Sequence, residues 1–213
     1  MNFGEDLKRG YSALLHPGSE SKPAFSIGRT LGFYYELTAI PFVLYVVIGY
    51  IMASLGLNTT LMPFYGSFSS IGVLPALLLT AVLYFWILVP IGLFLDAVIY
   101  HLVGRNFLRL WNGNYERTFT AVMFGALPVM LFYWLVSIPV VNALYLGIMG
   151  VWGLVVLTVA LSNQQKVKRM EAFWAMGASV VLTLVLVMVV VLLIVSAFAP
   201  LATAPGFGTV GAI

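Results

Sequence analysis

Residues 71–117 read IGVLPALLLTAVLYFWILVPIGLFLDAVIYHLVGRNFLRLWNGNYER, and this stretch decides the fold. From Ile71 to Leu95 it carries no charge at all. A helix crosses the hydrocarbon core of a bilayer with ~20 apolar residues, and only a bilayer tolerates so long a charge-free run of Val, Leu, Ile and Phe. Asp96, His101, Arg105, Arg109, Glu116 and Arg117 follow, and the apolar pattern then resumes. The three arginines mark the place where the chain leaves the membrane.

The composition of the whole chain agrees. Of its 213 residues, 62% are hydrophobic and 8% charged, with a mean hydropathy of +1.06. A soluble domain carries about a quarter charged residues, so this chain could not cover its own surface in water. There is no cysteine, which excludes disulfides and thiolate chemistry. The net charge of +3 comes from lysines and arginines gathered at membrane boundaries, not from a nucleic-acid surface. The first apolar run begins near Leu37, too far in for a secretory signal peptide, so the N-terminus is expected to be retained.

In chain order, residues 1–36 form a cytoplasmic leader. Phe3, Leu7, Tyr11, Leu14 and Leu15 fall at helical spacing, which predicts an amphipathic helix over 3–15, ended by His16-Pro17-Gly18. Such a helix lies in the headgroup layer or packs on the bundle's own cytoplasmic face. After Pro23 a short segment, Ala24 to Tyr35, leads to the membrane. The domain of residues 37–199 is read as an all-α bundle of five spans, at about 37–55, 71–103, 119–138, 142–161 and 172–197. Glu36 stands at the entrance of the first span, and Pro41 falls in its first turn. Tilt, overhang or a kink at Pro90 absorbs the excess length of the second. Pro139-Val140-Val141-Asn142 reads as a tight turn and Ser162 to Glu171 as a basic loop, and residues 200–213 form an extracytoplasmic tail.

The basic residues fix orientation. Lys8, Arg9, Lys22 and Arg29 precede the first span. Arg105, Arg109 and Arg117 lie between the second and third, and Lys166, Lys168 and Arg169 between the fourth and fifth. These are all ten in the chain. Alternation this complete follows the positive-inside rule, with the N-terminus cytoplasmic and the C-terminus outside.

A candidate polar site lies at the cytoplasmic boundary: Glu36, Asp96, His101 and Arg105. An acid inside a membrane helix marks a possible ion or proton site, and Glu36 facing Asp96 would bind a cation or raise one pKa. The structural reading is that each acid reaches water or a nearby arginine, Arg29 for Glu36 and Arg105 or Arg109 for Asp96. Arg109, Arg117, Lys166, Lys168 and Arg169 are candidates for partner or lipid-headgroup contact. Gly147, Gly150 and Gly153, with Ala143 a turn earlier, make a small-residue face suited to close helix packing or self-association. Asn58-Thr59-Thr60 is a glycosylation sequon in a loop expected outside. Two histidines, no cysteine and scattered carboxylates offer no metal-ligand cluster, and no nucleophile or phosphate-binding motif is present. A non-enzymatic protein without cofactor is therefore expected.

Ile99-Tyr100-His101-Leu102-Val103-Gly104-Arg105, then Asn112-Gly113-Asn114-Tyr115, Thr118 to Ala121 and Gly125-Ala126-Leu127-Pro128, together resemble the Yip domain family, named for proteins that interact with Ypt/Rab GTPases. The leader, with Leu14-Leu15-His16-Pro17 and Ala24-Phe25, is similar to the family's as well. Where the family usually has Gly-Gly in the turn, this chain has Trp111-Asn112-Gly113-Asn114. The resemblance implies a five-span, N-inside membrane protein of the short prokaryotic form, placed in a cell membrane. It also implies a scaffold or partner-binding role in membrane organisation or trafficking-like processes. Family members that bind GTPases do so largely through a long cytosolic N-terminal region, and with only about 36 residues there this chain is not expected to do so. The alternative is a small transporter or channel for an ion or small solute that uses Glu36, Asp96 and His101.

Overall fold

The computed structural model describes residues 8, 12, 26–57 and 71–202. Of the expected amphipathic leader helix only Lys8 and Ser12 are described, both helical, and the Asn58 sequon and most of the C-terminal tail lie outside the described residues. Within them all regular structure is helical, and five helices are long and apolar enough to cross a membrane. The chain is thus a multi-pass integral membrane protein built as an all-α bundle. The helices are α1 (Ile27–Ser54), α2 (Val73–Phe107), α3 (Tyr115–Leu131, prolonged by a 3-10 turn, Tyr133–Ser137), α4 (Pro139–Gln165) and α5 (Arg169–Ala202).

Several boundaries differ from the sequence reading. α2 runs on to Phe107, and α4 to Gln165 and α5 from Arg169 narrow the basic loop read at Ser162 to Glu171. Three helix starts differ for a clear local reason. The first helix begins at Ile27, ten residues before Leu37, because Ser26 caps it: its hydroxyl accepts from the Arg29 N–H at 3.4 Å, and Thr30 bonds back to the Ser26 carbonyl. Pro41 therefore lies in mid-helix and not in the first turn, and Glu36 is an interior residue of α1 rather than its entrance. Tyr115 opens α3 four residues early, since the Asn114 side chain accepts from the Arg117 N–H. Pro139 does not form a turn. It takes the first helical position of α4, where a missing N–H costs nothing, and the Ile138 carbonyl receives the N–H groups of Val141 and Asn142.

The bundle is built around α3. Of the membrane window of α3, 67% is buried, against 11% for α5. α3 meets α4 so closely that a Cβ on Gly125 would sit 2.6 Å from the Leu157 Cβ, and one on Gly153 2.9 Å from the Gly125 carbonyl oxygen. Gly153 thus serves packing inside the bundle, whereas a Cβ on Gly147 or Gly150 would meet nothing. The core has two parts. One cluster, toward the end that carries the basic residues and called inner on the orientation they imply, holds Phe33, Leu37, Leu93, Trp111, Phe119 and Phe124. The other, called outer, holds Tyr45, Leu77, Phe85, Tyr133 and Tyr145. α5 docks on the inner cluster through Ala172, Ala175, Met176 and Ser179, while every side chain from Val180 to Leu193 except the half-buried Leu182 and Thr183 is exposed.

α2 contains two wider π turns, Val82–Leu88 and Val103–Phe107. The first stops just before Pro90. Proline offers no N–H, so the carbonyls of Phe85 and Trp86, its π- and α-type partners, lose a donor. α1 supplies the replacements: the Tyr34 hydroxyl donates to the Phe85 carbonyl at 2.6 Å and the Tyr35 hydroxyl to that of Trp86 at 3.2 Å. In hydrocarbon a backbone carbonyl left unbonded costs several kcal/mol, which gives these two tyrosines their purpose.

Candidate functional site

The inner end of the bundle carries a connected polar network. His101 Nδ1 lies 2.9 Å from the Thr118 hydroxyl, and Gln165 Nε2 donates to the same hydroxyl at 2.9 Å. The other end of that amide, Gln165 Oε1, accepts the Gly113 N–H at 3.0 Å. Thus α2, α3, α4 and the α2–α3 loop are tied together through buried groups. Thr118 and Gln165 are almost wholly enclosed. The loop fits without slack: a Cβ on Gly104 would fall 2.2 Å from the Trp111 ring, and one on Gly113 2.3 Å from Gln165 Oε1. The Gly104 carbonyl accepts the N–H groups of Leu110 and Trp111, so the loop folds back on the end of α2. The His101 ring stands edge-on to Tyr115, with centroids 5.8 Å apart.

Of the predicted site residues, only His101 belongs to this network. Asp96 is exposed on α2. Glu36 is half-buried, with Oε2 enclosed and without a hydrogen-bond partner among the described residues. α1 packs along Val73–Leu88, and Phe42 stacks on Trp86, centroids 5.0 Å apart. From that level Glu36 lies six residues and Asp96 ten residues toward the same end of the two helices, ~9 Å and ~15 Å of rise. Arg105, Arg109, Lys166, Lys168 and Arg169 are exposed around the inner rim and Arg117 is half-buried. Arg109 and Lys166 adopt left-handed backbone, with φ of 54° and 56°, at the two turns that join helices there. Lys168 and Glu171 then start α5, the Glu171 carboxylate accepting the Lys168 N–H at 3.0 Å.

Gln165 escaped the sequence reading, and Thr118 and Trp111 entered it through the family resemblance and not as members of a site. The available signal was Gln164-Gln165, two amides at the inner end of an otherwise apolar helix. Amides there are costly unless bonded.

No protein-family model matches the chain, and neither a curated protein nor a solved structure does.

Proposed function

We propose that this chain is a non-enzymatic membrane scaffold of the Yip type, in a prokaryotic cell membrane, that holds partner proteins or anionic lipid headgroups at its inner face. One observation carries this reading. At the inner end His101, Thr118, Gln165 and the Gly113 N–H tie helices together, while the rim basic side chains are left outward. A rigid end surrounded by Arg105, Arg109, Lys166, Lys168 and Arg169 suits a docking platform. Each such residue near an anionic bilayer surface contributes about 1 kcal/mol of attraction. GTPase binding is not carried into the proposal.

A transporter is the second reading, favoured by one feature: the Glu36 oxygen enclosed without a partner inside a membrane helix. Two measurements separate them. Nanodisc-embedded protein analysed by native mass spectrometry should retain phosphatidylglycerol over phosphatidylcholine. Replacing Arg105, Lys166, Lys168 and Arg169 together by Gln should abolish that preference. Proteoliposomes should show no ion or proton flux above empty vesicles. A flux that disappears in Glu36→Gln or Asp96→Asn would replace the scaffold with the transporter.

A further inference from the structure

The outer half of the bundle contains none of the chain's charges, yet it gathers buried polar atoms. Tyr45 on α1, Thr80 on α2, Ser137 at the end of the 3-10 turn and Asn142 in the first turn of α4 are each at most 3% exposed. The Tyr45 hydroxyl, Thr80 Oγ1, Ser137 Oγ and Asn142 Oδ1 find no hydrogen-bond partner among the described residues. Elsewhere the chain treats such groups differently. Thr38, Ser54, Thr158 and Ser179 all turn their hydroxyls back onto the carbonyl one helical turn earlier, at 2.8–2.9 Å. Thr80 and Ser137 do not use that outlet, and an enclosed polar atom without any bond costs ~1–3 kcal/mol.

Each of the four belongs to the outer cluster or lies within one helical turn of a member of it. Tyr84 stacks on Tyr133 with centroids 4.4 Å apart, and Tyr45 meets Tyr133 at 5.9 Å. Thr80 lies one turn from Tyr84 on the same face of α2, Ser137 closes the 3-10 turn that Tyr133 opens, and Asn142 stands one turn before the buried Tyr145 on α4. Rings this close leave room only for a very small guest, and the absence of charge asks for a neutral one. Hydroxyls offer both a donor and acceptors, and a buried water makes about three hydrogen bonds.

We infer that Tyr45, Thr80, Ser137 and Asn142 form an internal water-binding site in the outer half of the bundle, holding about one or two waters between α1, α2 and α4. The site is independent of whatever the inner face binds. Glu36 and Trp111, whose Oε2 and Nε1 also lack partners, sit in the inner half and are not part of it.

Water-edited solid-state NMR of the protein in lipid bilayers tests this directly. Magnetisation from water should reach the ring carbons of Tyr45 and Tyr133 well ahead of those of Phe124, a buried inner-core control. Tyr45→Phe and Thr80→Val should each lower the Tm by about 2–4 °C, as the loss of one hydrogen bond does in a chain of this size. Transfer to Tyr45 and Tyr133 no faster than to Phe124 would overturn the site. So would variants that melt at or above the wild-type temperature, because deleting an unpaired buried hydroxyl from a dry core is neutral or stabilising.

Discussion

Gly104 and Gly147 are both helical glycines, and their surroundings give them opposite expectations. A Cβ at position 104 would lie 2.2–2.4 Å from three atoms of the Trp111 indole, a large buried ring that has nowhere to go. Gly104→Ala should therefore unseat the α2–α3 loop at a cost of ~1–3 kcal/mol, read as a lower Tm in detergent. At position 147 a Cβ meets nothing. Gly147→Ala should be neutral or stabilise by up to ~1 kcal/mol through helix propensity. The two variants melting alike would contradict this account of the loop. Nothing in the one-letter pattern separates these glycines, since the difference is made by Trp111 folding back, a tertiary event.

At the scale of the element, the expectation concerns the π turn before Pro90. Tyr34→Phe removes the donor from a carbonyl enclosed in the membrane, a loss of ~1–3 kcal/mol. Pro90→Ala restores a backbone N–H that can serve the Phe85 or Trp86 carbonyl from within α2. The effects should not add: in a double-mutant cycle the Tyr34→Phe loss should shrink by at least ~0.5 kcal/mol in the Pro90→Ala background. Full additivity in equilibrium unfolding would mean that tyrosine and proline are unconnected. Much of the element map was legible beforehand. Hydropathy found each span, because ~20 apolar residues in a row have one solution in a bilayer. The starts were harder, since Ser26 and Asn114 act through caps that hydropathy does not weigh, and Pro139 suits a turn and a first helical position equally. Of the inner network, His101 was read for its charge. Thr118 and Gln165, 47 residues apart in sequence, become partners only once three helices are assembled.

For the whole molecule, orientation is the property open to the simplest test. Because the chain has no cysteine, a single one placed at Lys168 or at Leu57 reports its own side. Both positions are exposed, and they stand at opposite ends of the bundle. Lys168→Cys should react with an impermeant maleimide only after the membrane is opened, and Leu57→Cys should react in intact cells. The reverse pattern would invert the topology that the basic residues imply.

The loose outer length of α5 has a consequence for how the protein is made. Synthesis delivers α5 after the other four, and among the described side chains its buried ones lie in its first turns, Ala172 to Ser179. The interlocked glycines of α3 and α4, the tyrosine caps on α2 and the Gln165 knot all involve residues already translated by then. Four helices can therefore reach their final arrangement while the fifth is still in the ribosome tunnel. The fifth then leaves the translocon to seat its inner end, and the exposed side chains from Leu184 to Leu193 meet lipid as it does so.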